Sequence, residues 1–436
     1  MGLKEQENLS FDPDILRNKY REERDKRLKL EGNDQYIEVK GDFSYFVEDP
    51  YIEAKITRDP EESAYHTIII GGGFGGVLSG ARLREQGIND FRIIEKGGDF
   101  GGTWYWNRYP GASCDIESYI YFPLLEETNF IPKQKYTDAA ETLDYFNVLS
   151  EKFSLKENAL FQTEVNEVQW LANEDLWLIK TNRQDSIKAR YVIHANGFLN
   201  RPKLPAMKGI NDYAGHTFHT SRWDYDYTGG DSNGELNNLK DKTVAIIGTG
   251  ATAVQCVPHL AASAKKLYVF QRTPSSIDER NNTNTDIDWF NSQKVGWQDE
   301  RRENFEGFLT GNFTSKDLVN DGWTEIFRTI LGGLIKNGPS KVTILGWVLT
   351  APLHQHFYKV GLKEFIRNKF MKFVSRKDIN QKVEIVDFQK MEKVRARADK
   401  LVNDPKTAES LKPYYRQLCK RPCFHDEYLQ AFNNDN

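Results

Sequence analysis

The chain has 436 residues, enough for roughly two to four domains of about 150 residues and for a core that needs no disulfide or structural metal. Its 59 Lys+Arg against 63 Asp+Glu leave a formal charge of −4, which excludes the overall basic footprint of a nucleic-acid-binding protein. The four cysteines, Cys114, Cys256, Cys419 and Cys423, lack the spacing of a disulfide framework, a redox pair or a zinc knuckle, and point to a reducing, cytoplasmic compartment.

Residues 1 to about 62 read as a charged arm without the apolar centre of a signal peptide. Asp12-Pro13-Asp14 is a helix start, and the charged run from Arg17 to Lys29 has Tyr20 and Leu28 as its few apolar points. This predicts a solvated helix against the globular body, with a specific recognition role as the alternative.

From Tyr65 the texture changes. His66 to Ile70 is a predicted strand, Gly75 to Gly87 a helix and Phe91 to Ile94 a second strand, with a further strand over Tyr191 to His194. Gly71, Gly73 and Gly76 form Gly-x-Gly-x-x-Gly directly after the first strand, with Phe74 inside the motif. Gly71 makes the tight turn, Gly73 admits a pyrophosphate to the backbone, and Gly76 lets the helix pack on the strand. Glu95 ends the next strand, placed to accept from ribose hydroxyls.

Near residue 240 the pattern restarts: strand Thr243 to Ile247, helix Ala251 to Ala264, strand Leu267 to Phe270. Gly248, Gly250 and Ala253 repeat the fingerprint, with alanine still small enough for close packing. Its second strand ends in Arg272 and Thr273 rather than a carboxylate, a cation and a hydroxyl suited to a 2′-phosphate. A surface ion pair is the other reading of Arg272. Between 286 and about 372 helical, Trp- and Phe-rich segments replace the strands. The fold class is therefore α/β, two doubly wound Rossmann-like dinucleotide-binding domains with a helical insertion in the second. Two dinucleotide sites in one chain suit FAD in the first and NADPH in the second, and without a close cysteine pair oxygen is the better electron acceptor than a disulfide. The apolar stretch 329–353 is broken by Lys336, Pro339 and Lys341, so no spanning helix is expected.

Two longer segments carry a resemblance. Gly102-Thr103-Trp104-Tyr105-Trp106-Asn107-Arg108-Tyr109-Pro110-Gly111-Ala112-Ser113-Cys114-Asp115 resembles the Gly-x-Trp, Tyr-Pro-Gly, Asp signature of Baeyer-Villiger monooxygenases. The segment from Tyr213 to Asp224, containing His219 and Trp223, is similar to that family's linker motif. The resemblance implies a reaction in which NADPH reduces FAD and an anionic peroxyflavin attacks a small-molecule ketone, inserting one oxygen of O2 to give an ester or lactone. Related flavin N- or S-oxygenases are the alternative class. The family's active-site arginine is expected at Arg280, held by Asp115, because a peroxy anion needs a fixed positive charge. A loop-capping role is the competing reading of Asp115. His219 and Trp223 would couple NADP binding to domain closure, or simply pack in the core. Trp104 and Trp106 would wall the flavin and exclude water.

The expected organisation is an arm (1–62), the first part of the FAD domain (63–206), a linker (207–240), the NADP domain (241–385, with the insertion at about 286–372) and a return to the FAD domain (386–436). On the resemblance, family members continue beyond the position of Asn436, so this chain is expected to lack the last strands of the FAD sheet, and a non-turnover relative that binds NADP(H) is a further alternative.

Overall fold

The structure is a computed structural model that describes residues 9–311, 316–336 and 376–436. Part of the expected insertion, 337–372, lies outside the described residues.

The arm opens with helix α1 (Pro13–Asp25), capped by Asp12, whose carboxylate accepts from the Asp14 amide at 2.8 Å. Leu16 and Tyr20 pack against Ile385 and Phe388 of a long later helix. A short strand, β1 (Tyr36–Glu38), follows.

Strand β2 (Ala64–Ile70), helix α2 (Phe74–Glu85) and strand β3 (Phe91–Ile94) form the first βαβ unit, close to the predicted bounds. Ile68 and Ile69 point to opposite faces and both are fully buried: Ile68 meets Ile179 and Ile187, and Ile69 meets Val77 and Ala81. Helix α3 (Ala139–Lys152) buries Tyr145, Phe146 and Leu149 in the same core. With β4 (Ala159–Leu160), β5 (Val165–Leu171), β6 (Leu176–Thr181) and β7 (Ser186–His194) the sheet order is β4-β3-β2-β7-β6-β5. The parallel trio β3-β2-β7 ends together, Ile70 lying level with Ile94 and His194. Strand β8 (Lys203–Pro205) then pairs antiparallel with β1 and fastens the arm to the segment just ahead of the expected linker.

The second unit contains parallel strands β9 (Thr243–Ile247) and β10 (Lys266–Phe270), joined by helix α4 (Ala251–Ser263). Val254, Cys256, Val257 and Leu260 make the helix's buried stripe. Helices α5 (Ile287–Asn291), α6 (Trp297–Leu309) and α7 (Gly322–Lys336) are the described part of the expected insertion. Helix α8 (Arg376–Leu401) runs through residue 385, the expected domain boundary.

Residues 386–436, expected to return to the first domain, bond through their backbone to the second unit. Strand β12 (Cys423–Phe424) pairs with β11 (Ile277–Asp278) of the second unit, the Leu267 amide donates to the Asn436 carbonyl at 2.9 Å, and the Asn436 side chain bonds the α4 carbonyl of Ala261. Free backbone groups of β10 and β11, together with the apolar side of α4, give this segment its partners there.

Candidate active site

The glycine fingerprint sits where β2 ends, and its conformation explains its composition. Gly71 has φ +108°, and a Cβ there would lie 2.5 Å from the Ala195 carbonyl oxygen. A Cβ on Gly76 would stand 1.8 Å from the Gly71 carbonyl oxygen. Only glycine fits either position. Gly102, at φ +52°, comes against the Gly73 backbone in the same way.

Gly71 and Gly102 border a cleft of about 670 Å³ at the C-terminal ends of β2, β3 and β7. Gly71, Gly73, Phe74, Glu95, Gly102, Thr103 and Trp104 all line it, whereas Gly76, Tyr109 and Asp115 do not. Phe74 stacks on Phe146 at 4.2 Å, and the Trp104 indole donates to Tyr121 Oη at 3.0 Å. Glu95 is 6% exposed and accepts from the Gly72 and Gly97 amides at 2.6 and 2.7 Å. Burial pushes its carboxyl up from the ordinary range despite those two bonds.

From the cleft the chain passes to the second unit. The Tyr109 hydroxyl donates to Gln255 Oε1 of α4 at 2.9 Å, and the Gln255 amide donates to the Ser113 carbonyl at 2.9 Å. Gly111 packs so closely that a Cβ would lie 2.6 Å from the Gln255 carbonyl.

At this junction the structure changes the expected pairing. Asp115 does not hold Arg280. Both its carboxylate oxygens accept from Arg421, at 2.6 and 2.7 Å, and its backbone carbonyl accepts from the Trp323 indole at 3.0 Å. The Arg421 guanidinium lies over the Trp323 ring at 5.4 Å. Desolvation opposes the charge of Arg421, but Asp115 outweighs it and the pKa is raised. Tyr121, a wall of the cleft, lies within electrostatic reach of both Asp115 and Arg421.

Arg280 is used differently: it donates to Ser113 Oγ at 2.7 Å and to the Cys114 carbonyl, and it lies over the Tyr136 ring at 5.4 Å. Burial lowers its pKa, and its Nε has no hydrogen-bond partner among the described residues. A buried cation spanning two backbone segments fits a role in holding the loop that carries Asp115. Arg421 is the residue that sequence reading missed; the signal available was an adjacent Lys-Arg pair ahead of a proline.

In the second fingerprint Gly248 adopts φ +103° and Gly250 precedes α4, leaving the helix's first amides for an anion. Ala253 is buried in the helix–sheet contact. Thr273 is 7% exposed and its hydroxyl has no hydrogen-bond partner among the described residues. Arg272 is exposed above it, and Lys420 donates to the Thr273 carbonyl at 3.3 Å.

The linker residues are packed. Trp223 is 3% exposed and donates to Thr228 Oγ1 at 3.1 Å. His219 Nδ1 accepts from the Ser221 amide at 3.1 Å. Burial, then the neighbouring Arg222, depresses its pKa to about 4, so the ring is neutral at pH 7.

A family model described as pyridine nucleotide-disulphide oxidoreductase matches residues 68–296. The Baeyer-Villiger monooxygenase ATR8 of Stachybotrys chlorohalonatus is 49% identical over 431 residues, which are 99% of this chain and 64% of that protein. The chain belongs to the pyridine nucleotide-disulphide oxidoreductase family, and over nearly its whole length it is similar to Baeyer-Villiger monooxygenases. Neopentalenolactone D synthase of Streptomyces avermitilis is 45% identical, covering 98% of this chain and 66% of its own length. Among solved structures, the polycyclic ketone monooxygenase from Thermothelomyces thermophila superposes with a TM-score of 0.80 at 37% identity, over 97% of this chain and 66% of that one. The structure of OTEMO in complex with FAD and NADP matches at a TM-score of 0.61 and 26% identity, over 87% of this chain and 65% of that one. The chain thus spans about 64–66% of the length of these relatives.

Proposed function

We propose that the protein is an FAD-dependent, NADPH-consuming monooxygenase that inserts one oxygen atom of O2 beside a ketone carbonyl, giving an ester or lactone. The observation that carries this is the Asp115–Arg421 pair, which lies within electrostatic reach of the cleft wall Tyr121. A cation there stabilises negative charge that develops during oxygen transfer, and the two hydrogen bonds fix its direction. Arg421 is therefore assigned the electrostatic role, Asp115 positions it, and Arg280 supports the loop.

The cradle fits FAD: a Cβ would fill the space at Gly71, Gly76 and Gly102, and Glu95 stands at the strand end where a ribose would bind. Arg272, Lys420 and the unpartnered Thr273 hydroxyl suit the 2′-phosphate of NADPH. Bound FAD would supply electron acceptance from NADPH and activation of O2. Trp104 and Phe74 bring apolar surface to the cleft and limit water there. Arg222, stacked over the cleft residue Trp106 at 3.7 Å, connects the cleft to the linker turn of His219 and Trp223, which supports coupling of NADP binding to domain position. All four thiols are free, which favours oxygen over a disulfide as acceptor and a cytoplasmic location. Among the described residues no helix is long and apolar enough to cross a membrane. Relatives named neopentalenolactone D synthase and ketocytochalasin monooxygenase support a bulky secondary-metabolite ketone as substrate.

The test is incubation of the protein with FAD, NADPH and a panel of cyclic and polycyclic ketones, with product analysis by mass spectrometry. Esters or lactones are expected. Oxygenation of amines or sulfides alone would assign the chain to the N- or S-oxygenases, and NADP(H) binding without turnover would make it a non-turnover relative.

A further inference from the structure

We propose that the N-terminal arm completes the subsite for the 2′-phosphate of NADPH, with Arg27 as a third cation and Gln35 and Tyr36 fixing the guanidinium of Arg272. The inference rests on the NADPH reading above and adds residues from outside the second dinucleotide unit.

The arm reaches this site through three attachments. Helix α1 packs on α8 through Leu16 and Tyr20, Arg17 bonds Glu384 at 2.7 Å, and β1 pairs with β8, setting Tyr36 opposite Pro205. Along this path Gln35 and Tyr36 meet Arg272, which follows β10, and Arg27 lies over the Tyr415 ring. Arg272 donates from Nη1 to Gln35 Oε1 and from Nη2 to Tyr36 Oη at 3.1 Å. A guanidinium has five N–H donors, so three remain for an anion while the plane of the group is held.

Arg27 and Lys420 share one ring: each lies 5.7 Å from the centroid of Tyr415. The Arg27 Nε donates to the Glu23 carbonyl at 2.7 Å, which fixes the side chain's exit from the helix end. Among the described residues, Arg27, Arg272 and Lys420 form no ion pair with any carboxylate. Like charges gathered from three chain segments repel unless an anion joins them. Burial, then Arg27 and Arg272, lowers the pKa of Lys420, so both arginines act on that ammonium. The buried Thr273 hydroxyl beside them, 7% exposed and unpartnered, is a second independent mark of a ligand. A phosphate monoester dianion matches the set: two negative charges and several acceptor oxygens against three cations and a hydroxyl.

The experiment is isothermal titration of the full chain with 2′,5′-ADP and with 5′-AMP, which differ only in the 2′-phosphate. The wild type is expected to prefer 2′,5′-ADP. Arg27→Ala, and separately Gln35→Ala with Tyr36→Phe, are expected to weaken 2′,5′-ADP roughly tenfold and leave 5′-AMP unchanged, a loss on the scale of one charge-assisted hydrogen bond. Unchanged 5′-AMP binding also reports that the variants fold, and Arg27→Lys is expected to restore part of the preference. Wild-type preference in both arm variants, with loss confined to Arg272→Ala, would overturn the role of the arm while sparing the NADPH reading. A wild type that binds the two nucleotides equally would overturn both.

Discussion

Replacing Asp115 separates the electrostatic role of its partner from any contribution to stability. Asp115 has a largely shielded side chain, 16% exposed, whereas Arg421 is 56% exposed, so water and salt screen the pair. Asp115→Ala should therefore cost about 1 kcal/mol of stability or less, a shift of a few degrees in Tm. Its catalytic cost should be larger. Freed from the two bonds at 2.6 and 2.7 Å, Arg421 no longer points in one direction, and loss of one preorganised charge-stabilising group typically lowers turnover by roughly 10²–10³-fold. Arg421→Ala should match it, because the two residues act as a unit. Stopped-flow absorbance provides the assay: reduction of the flavin by NADPH should persist in both variants while ketone oxygenation is lost. Arg280→Ala should show the opposite balance, destabilising by about 1–3 kcal/mol as the Cys114 carbonyl loses its buried donor, with oxygenation falling less than in Arg421→Ala. Full oxygenation by Arg421→Ala, or loss of oxygenation confined to a well-folded Arg280→Ala, would refute the assignment.

Gly76→Ala places a methyl group 1.8 Å from the Gly71 carbonyl oxygen, so flavin should be lost on gel filtration, and retention of a stoichiometric flavin spectrum would contradict the cradle. His219 and His425 each have a folded pKa of about 4 against 6.5 unfolded. The unfolded state then binds more protons between those values, so stability should fall as pH drops from about 6.5 towards about 4, and His219→Gln should flatten that slope in urea titrations. Asp185 runs the other way round: burial pushes its pKa up, but Arg58, Thr181 and the Glu61 amide together outweigh it and lower the pKa to about 2. Its contribution is present above pH 3.8 and lost as pH falls towards 2, and Asp185→Ala should cost about 2 kcal/mol at pH 7, as read by chemical denaturation.

Local chemistry made much of the fold legible in sequence. Glycines with forced conformations, strand runs such as Ile68-Ile69-Ile70 and the Asp12 cap each declare themselves within a few residues, and the elements around both fingerprints fall within about two residues of expectation. Contacts between distant segments did not declare themselves. Asp115 and Arg421 are 306 residues apart, and Arg280 occupied the expected place in a loop while the chain delivered a different arginine from beside β12. The same applies to the arm: its charge pattern indicates a solvated helix, yet where Arg27, Gln35 and Tyr36 land depends on packing against α8 and pairing with β8.

One isotope measurement tests ketone oxygenation by this protein most directly. The protein, supplied with FAD, NADPH and a polycyclic ketone under ¹⁸O2, should yield an ester or lactone carrying a single ¹⁸O atom, with one NADPH consumed per product. An unlabelled product, or label found only in amine or sulfide oxides, would contradict ketone oxygenation.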